Sequence, residues 1–178
     1  GPEVSYDAEK FLTENSEFKG VMVGEGEETF KELAGHYVEK NPQNLKNMTG
    51  ICYRDGDQII HNGWRQIMDL SSIPFIYKDL SEFKNRIIYY ESSRGCPFSC
   101  SYCLSSIDKK LRFRDTETVK KELQFFIDNK VPQVKFVDRT FNCKHDHAMA
   151  IWKYIQEHDN GITNFHFEVA ADLLNDEE

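Results

Sequence analysis

The sequence predicts an α/β fold, and three observations support this class. Strand-like and helix-like segments alternate along the chain, most regularly after residue 86. Apolar residues make up 39% of the 178 residues and aromatic residues 13%, which is enough to form a hydrophobic core. Strands that alternate with helices of about 13 residues predict right-handed crossovers and a parallel sheet.

The N-terminal third is predicted to contain short α/β units. A brief helix follows Ser5, and Val21–Val23 is a short apolar run that ends at Gly24, as expected of a buried strand. The next helix has apolar residues at helical spacing, which predicts one buried face. This face consists of Phe30, Leu33, Ala34 and Tyr37.

Gly24 and Gly26 precede this helix, and two interpretations of the pair remain open. The pair can mark a capped helix start, or it can form a loop that binds a phosphate or another ligand. The glutamates around it would repel an anion but suit the positive N-terminus of a helix. The sequence therefore favours the helix start and keeps the binding loop as the alternative.

A β-hairpin is predicted where Ile51–Arg54 and Gln58–His61 flank the dipeptide Asp55-Gly56. An Asp-Gly dipeptide between two apolar runs is a strong signal for a tight hairpin turn. Cys52 falls within the first of these strands, so we expect a buried thiol without a chemical role.

A connecting segment is predicted over residues 62–85, which contain Pro74 and show no sustained period. A domain boundary is expected in such a stretch. The sequence thus predicts a first domain over residues 1–61 and a second over residues 86–178.

The second domain is predicted to be a βαβαβ unit. Its strands are Ile87–Glu91, Val134–Asp138 and Asn164–Ala171. Its helices begin near Asp115 and His145, and each carries apolar residues at the spacing i, i+3, i+4, i+7 or close to it. Residues 145–147 read His-Asp-His, which we interpret as the solvated N-terminus of the second helix.

Charge and composition exclude several classes of protein. The chain has 22 Lys and Arg against 30 Asp and Glu, a formal charge of −8, which argues against a general nucleic-acid binder. We find no apolar run long enough for a membrane helix and no secretory signal, so no membrane association is expected. The chain starts with Gly-Pro rather than Met, and we expect it to be a segment of a longer protein.

Three cysteines within eight residues carry the chemical information in the sequence. Cys96, Cys100 and Cys103 follow the spacing Cys-x3-Cys-x2-Cys directly after a predicted strand. Thiolates this close can converge on one soft metal centre. A 4Fe–4S cluster normally takes four cysteines, so three would leave one iron open to a small molecule.

Other interpretations of the cysteines remain open. A structural zinc ion would need a fourth ligand, which Cys143 or His145 could supply. The three cysteines could also be unrelated buried residues. Outside a metal site, Cys143 is expected to be a free thiol.

The motif Cys96-x3-Cys100-x-Tyr102-Cys103 after a strand resembles the radical S-adenosylmethionine (SAM) enzymes. The resemblance covers essentially the whole chain and extends to the cobalamin-binding-domain subgroup. That subgroup includes methyltransferases and anaerobic magnesium-protoporphyrin monomethyl ester oxidative cyclases. The additional segments that resemble it are Gly1–Ser5, Gly24–Phe30 and Ile73–Phe75.

The resemblance implies a particular architecture and chemistry. Residues 1–61 would be the C-terminal piece of a Rossmann-like cobalamin-binding domain, and residues 86–178 the first βα units of a partial (β/α) radical SAM barrel. The three cysteines would hold a 4Fe–4S cluster that binds and reductively cleaves SAM to a 5′-deoxyadenosyl radical. This radical would abstract hydrogen from a small-molecule substrate, with a flavodoxin- or ferredoxin-type electron donor, in the cytoplasm.

Three further residues are candidates for contacts with the cofactor. The resemblance places Tyr102 near the adenine, with a core aromatic as the alternative. Asp138 and Glu168 lie near the C-terminal ends of predicted strands, where barrels place their reactive groups. Contacts with the SAM amino group or ribose would suit both carboxylates, and a capping or loop hydrogen bond is the alternative for each.

The sequence also departs from the full family. It lacks the Asp-x-His-x-x-Gly motif that supplies the lower cobalt ligand, so cobalamin is expected only in a longer protein. It contains about three barrel strands where the family has about six, so this segment alone is expected not to turn over substrate. The rival from another class is a non-catalytic zinc- or cluster-binding module.

Overall fold

The computed structural model describes residues 1–38, 45–106 and 110–175. It divides into two compact units, Gly1–Ile67 and Met68–Glu178. The elements of the first unit are α1 (Pro2–Ser5), α2 (Ala8–Glu14), β1 (Gly20–Met22), α3 (Glu27–Val38), β2 (Ile51–Asp55) and β3 (Gln58–His61). Those of the second unit are β4 (Ile88–Tyr90), β5 (Ser93–Arg94), β6 (Arg112–Phe113), α4 (Thr116–Asp128), β7 (Gln133–Phe136), α5 (His145–His158) and β8 (Asn164–His166). Within the described ranges, no helix has both the length and the apolar character needed to cross a membrane.

The first unit contains a three-stranded antiparallel sheet in the order β1–β2–β3. The predicted hairpin is confirmed: Asp55 pairs with Gln58, and Gly56 has φ +60°. The strand β1 is followed along the chain by α3, and the hairpin strand β2 pairs with β1 in antiparallel register. Cys52 is fully buried in the core, as predicted, and burial raises the pKa of its thiol.

The apolar face predicted for α3 is wrong in part, because much of it is exposed. Phe30 is 61% exposed and Tyr37 is 68% exposed. Leu33 packs against a buried cluster of the first unit, and the buried residue of the helix is Thr29. The Thr29 hydroxyl accepts a hydrogen bond from Nε of Arg65 at 3.2 Å, so the inward side of α3 is rotated away from the predicted stripe.

The second unit confirms the predicted parallel sheet. Its three-stranded sheet has the order β4–β7–β8, and both pairings are parallel. Helices α4 and α5 pack with this sheet around one core of buried side chains. This core includes Ile88, Tyr90, Val119, Leu123, Phe126, Val134, Phe136, Phe141, Ala148 and Ile151. Asp115 caps α4 through the amide of Thr118 at 2.8 Å, which agrees with the predicted start of the helix.

The expected linker does not behave as a free segment throughout. Its larger part, from Met68 onward, belongs to the second unit. Leu70 is 1% exposed, and the Tyr77 hydroxyl donates to the carbonyl oxygen of Tyr89 at 2.6 Å. Further apolar side chains of this segment pack against the core of the second unit, namely Phe75, Leu80 and Phe83.

Candidate functional site

The three clustered cysteines lie in one loop whose two ends are paired with each other. The short strands β5 and β6 bracket the loop, with Ser93 opposite Phe113 and Arg94 opposite Arg112 in antiparallel register. The loop begins soon after β4, at the C-terminal end of the parallel sheet. Closing a loop at its base limits the conformations that its interior can adopt. The cysteines are therefore carried on a tethered loop at the edge where α/β proteins place their ligands.

None of the three cysteines forms a disulfide bond. Cys96 and Cys103 are half-buried, and Cys100 is exposed. The amide of Cys103 donates to the carbonyl oxygen of Cys100 at 3.2 Å, and Sγ of Cys96 lies 3.6 Å from the Thr140 hydroxyl oxygen. In the part of the chain that the structure describes, no group of three or more His, Cys, Asp or Glu side chains is arranged to hold a metal ion. The donor set nevertheless fits an iron–sulfur cluster chemically, because it offers three soft sulfur ligands in one loop.

Gly95 allows the start of the loop to pass close to the backbone of the segment that leads into β6. It has φ +101°, and a Cβ at this position would lie 2.7 Å from the carbonyl oxygen of Lys110. Both the backbone conformation and the close contact exclude other residues without a local shift. The glycine next to the first cysteine therefore serves the loop's backbone geometry.

Asp138 is fully buried at the end of β7, and the structure accounts for both of its carboxylate oxygens. Oδ1 accepts from the Ser92 amide at 2.8 Å, and Oδ2 accepts from the hydroxyls of Ser92 at 2.6 Å and Ser93 at 2.7 Å. Burial raises the pKa of Asp138, while the bonds from the two serines act in the opposite direction. The loop hydrogen bond, which the sequence left as the alternative to a cofactor contact, is the role that this geometry supports.

His147 does not lie at a solvated helix N-terminus, so that interpretation of residues 145–147 is wrong for this residue. Its side chain is 4% exposed, and Nε2 lies 3.3 Å from the Ser92 hydroxyl oxygen. Its ring also packs edge-on against Phe113. Burial, with a smaller contribution from the Lys144 charge, lowers the pKa of His147 to about 4. The ring is therefore neutral at pH 7.

Tyr102 and Glu168 are accessible rather than buried. Tyr102, next to the third cysteine, is 91% exposed. Glu168 is exposed and pairs with Lys135, with Oε1 and Nζ 3.5 Å apart. Its neighbours Phe165 and Phe167 pack against the core, which leaves Glu168 on the opposite side of the chain. Both side chains are thus exposed to solvent and do not belong to the core, which excludes the core aromatic as the role of Tyr102.

Gly24 and Gly26 form the start of α3. Gly24 has φ +76°, and a Cβ there would meet the Trp64 ring at 3.1 Å. The carbonyl oxygen of Gly26 accepts from the Phe30 amide at 2.7 Å, which is the first turn of the helix. This geometry supports the helix-start interpretation of the pair.

An open cavity of about 330 Å³ lies beside the cysteine loop. Its lining is mostly polar and comes from the exit of β4, the loop and the exit of β7: Glu91, Ser93, Arg94, Gly95, Ser105, Val137 and Arg139. Arg94 and Glu91 form a bidentate pair at 2.8 and 2.7 Å. Ser92, Ser93 and Thr140 belong to no motif in the sequence, and their position just after predicted strands is the signal that points to them.

Comparison with known protein families matches residues 90–178 to the radical SAM superfamily. Among curated proteins, the chain is 30% identical over 161 residues to an uncharacterized methyltransferase of Pyrococcus horikoshii, covering 85% of this chain and 35% of that protein. It is 28% identical over 121 residues to the anaerobic magnesium-protoporphyrin IX monomethyl ester cyclase of Cereibacter sphaeroides, covering 61% of this chain and 19% of that protein. The chain thus spans about a third or less of the length of these relatives.

Two solved structures share the fold. The cobalamin-dependent SAM radical enzyme OxsB, with aqua-cobalamin and SAM bound, has a TM-score of 0.73 at 21% identity, over 95% of this chain and 25% of that one. The radical SAM methyltransferase TsrM from Kitasatospora setae has a TM-score of 0.63 at 16% identity, over 90% of this chain and 33% of that one.

The fold and the cysteine loop thus define an α/β protein of the kind found in cobalamin-dependent radical SAM enzymes. The chain belongs to the radical SAM superfamily, whose members use a 4Fe–4S cluster and SAM.

Proposed function

We propose that the second unit binds a 4Fe–4S cluster through Cys96, Cys100 and Cys103 and uses it to cleave SAM. The observation that carries this proposal is the arrangement of three cysteine thiols, none of them in a disulfide, on one loop that is tethered at its base beside the ends of β4 and β7. The exposed thiol of Cys100 can move toward its half-buried neighbours when a cluster forms. Three thiolates leave one iron for the methionine end of SAM.

When bound, the cluster would supply the electron that cleaves SAM into methionine and a 5′-deoxyadenosyl radical. The residues of this chain position and shield the reactants. The cavity beside the loop offers space for SAM, and its polar lining suits the ribose and the amino-acid group. Tyr102 is proposed to approach the adenine, and Glu168 the amino group or ribose.

The reaction type is proposed from the relatives. A methyltransferase and a cyclase are among them, so an oxidative cyclase-like or cobalamin-dependent methyltransferase-like reaction on a small molecule is our proposal. The first unit is proposed to be the end of a cobalamin-binding-like domain, with cobalamin bound only in a longer protein. An electron donor of the flavodoxin or ferredoxin type and a cytoplasmic setting suit an oxygen-labile cluster.

This chain alone is proposed to be inactive toward substrate. The described residues of the second unit form three parallel strands, and the cysteines lie at the C-terminal edge of this sheet. A complete (β/α)₈ barrel has eight strands. A substrate pocket built from strand ends would take walls from strands beyond these three.

A second candidate function is a non-catalytic zinc-binding module, and one observation favours it. The thiol of Cys143 lies close enough to Cys96 for the two to interact electrostatically. Cys143 could therefore serve as a fourth sulfur ligand, which would complete a tetrahedral zinc site.

Anaerobic reconstitution with iron and sulfide, in parallel with zinc, separates the two functions. The radical SAM proposal predicts a brown protein with about four irons and four sulfides per chain, whose reduced cluster changes its EPR spectrum when SAM is added. A colourless protein that binds one zinc ion and takes up no sulfide would overturn the proposal. A cluster whose EPR spectrum does not change when SAM is added would support only a non-catalytic cluster-binding module.

A further inference from the structure

The stem of the cysteine loop is held from several sides by buried groups. Ser92 lies between β4 and the loop, and both its amide and its hydroxyl donate hydrogen bonds to the Asp138 carboxylate. On the other side, the carbonyl oxygen of Ser92 accepts from the Arg114 amide at 2.8 Å. The ring of His147, from the first turn of α5, reaches the same hydroxyl. One short segment is thus fixed by the end of β7, by the returning strand and by a helix.

Asp138 is the group on which these contacts converge. It takes three hydrogen bonds from two successive residues, and it is 0% exposed. The two hydroxyl contacts, at 2.6 and 2.7 Å, are short hydrogen bonds, and a buried acceptor that loses its partners is costly, so this carboxyl group holds both serines in place. The first cysteine follows Ser93 by three residues, so the direction of this segment determines where Cys96 starts.

We infer that Asp138 is a positioning residue for the cysteine loop, acting through Ser92 and Ser93 rather than by touching the cofactor. Its carboxylate ties the exit of β4 to the exit of β7, and the loop that carries the thiols leaves from that junction. The inference rests on the proposed function, because the groups being positioned are the proposed cluster ligands. This role replaces the cofactor contact that the position of Asp138 at a predicted strand end had suggested.

The test compares Asp138→Asn with two other variants of the whole chain. The amide of the Asn keeps one oxygen for the Ser92 amide but places a donor where Oδ2 accepted two hydroxyls. Ser93→Ala removes one of those bonds without touching the carboxylate. Glu122→Gln is the matched control, because Glu122 is also a buried carboxylate of this unit but bonds to Tyr90 and Arg114 instead.

After reconstitution, loss of iron to a chelator should be about tenfold faster in Asp138→Asn than in the wild type, the effect typical of losing an outer-shell contact. Ser93→Ala should show a smaller acceleration in the same direction. Glu122→Gln should lower the melting temperature while its iron loss stays within about twofold of wild type. An unchanged rate in both Asp138→Asn and Ser93→Ala, with weaker SAM binding in the first, would overturn the inference in favour of a direct cofactor contact.

Hydrogen exchange in the metal-free chain tests the inference separately from the proposed function. Amides of residues 92–106 should exchange about two- to tenfold faster in Asp138→Asn, the fold-change that corresponds to the net strength of a hydrogen bond. Exchange in this segment at the wild-type rate would contradict the inference. A wild-type chain that takes up no cluster, but whose loop loosens in Asp138→Asn, would refute the proposed function and leave the positioning role standing.

Discussion

Ser92 is contacted by buried titratable side chains from two different elements, and this makes the loop stem sensitive to protonation. Asp138 bonds to it from the end of β7, and His147 approaches it from α5. Burial acts on the two in opposite senses: it raises the pKa of the carboxyl and lowers the pKa of the imidazole. Both shifts favour the uncharged form of the group, because the site is desolvated.

The pH dependence of stability should reveal His147. Its folded-state pKa of about 4 lies below the ordinary value of 6.5, so between these pH values the unfolded chain binds a proton that the folded chain does not. The contribution of His147 to the free energy of unfolding is therefore complete above pH 6.5 and is lost as the pH falls toward 4. From pH 7 to pH 5 the wild type should lose about 2 kcal/mol more free energy of unfolding than His147→Gln, measured by urea denaturation.

The raised pKa of Asp138 gives a pH dependence of stability with the opposite sign. Asp138 is present in both proteins, so its effect cancels when the wild type is compared with His147→Gln. Equal losses in the two proteins would show that His147 is accessible to protons in the folded state, contrary to its buried position.

At the scale of elements, the two glycines that precede α3 have different structural roles. Gly24 carries the left-handed conformation and lies against the Trp64 ring, whereas a Cβ at Gly26 would make only an ordinary van der Waals contact, 4.0 Å from Cε of Met22. The two positions should therefore respond differently to the same substitution.

Gly24→Ser should destabilise the chain by about 1–2 kcal/mol, the cost of the left-handed conformation for a residue with a Cβ. Gly26→Ser is the matched control and should change stability by less than about 0.5 kcal/mol, because serine is a good N-cap. Thermal or urea unfolding of the two variants measures the difference. Equal destabilisation would show that the pair acts as a unit, as a ligand-binding loop would require.

Elements with a clear period or turn signal could be predicted from the sequence, including the hairpin, the parallel strands and the capped start of α4. The failures have physical causes. The segment around Phe75 packs on the core without secondary structure, so it shows no period that a sequence reading could detect. The hydrogen bonds of Asp138 join residues that are 45 or more positions apart in the sequence, and no local sequence pattern predicts such a contact. The orientation of α3 depends on Arg65, which lies 36 residues beyond Thr29.

At the scale of the whole molecule, the boundary between the two units differs from the one that the sequence suggests. The structure divides the chain after Ile67, whereas the sequence predicts a second domain from residue 86. The intervening residues contribute aromatic side chains to the core of the second unit, and Arg114 bonds to the carbonyl oxygen of Ile73 at 3.2 Å. Burial of aromatic side chains is a large contribution to the stability of a small core.

A chain that begins at Met68 should therefore be more stable than one that begins at Arg86. Phe75, Tyr77 and Phe83 are half-buried against the core, so each should contribute less than the about 3–5 kcal/mol of a fully buried Phe. Removing all three together should still abolish cooperative unfolding in the shorter chain. Calorimetry of the two purified chains measures this. Identical melting transitions would show that the segment is a linker after all.

The number of irons held by single cysteine variants tests the central claim most directly. After anaerobic reconstitution, Cys96→Ala, Cys100→Ala and Cys103→Ala should each lose most of the about four irons per chain expected for a 4Fe–4S cluster. Cys52→Ala and Cys143→Ala should keep the wild-type iron and sulfide content, because neither is proposed as a ligand. A loss in Cys143→Ala as large as in the other three would contradict the account, since a fourth thiolate would leave no iron open to SAM.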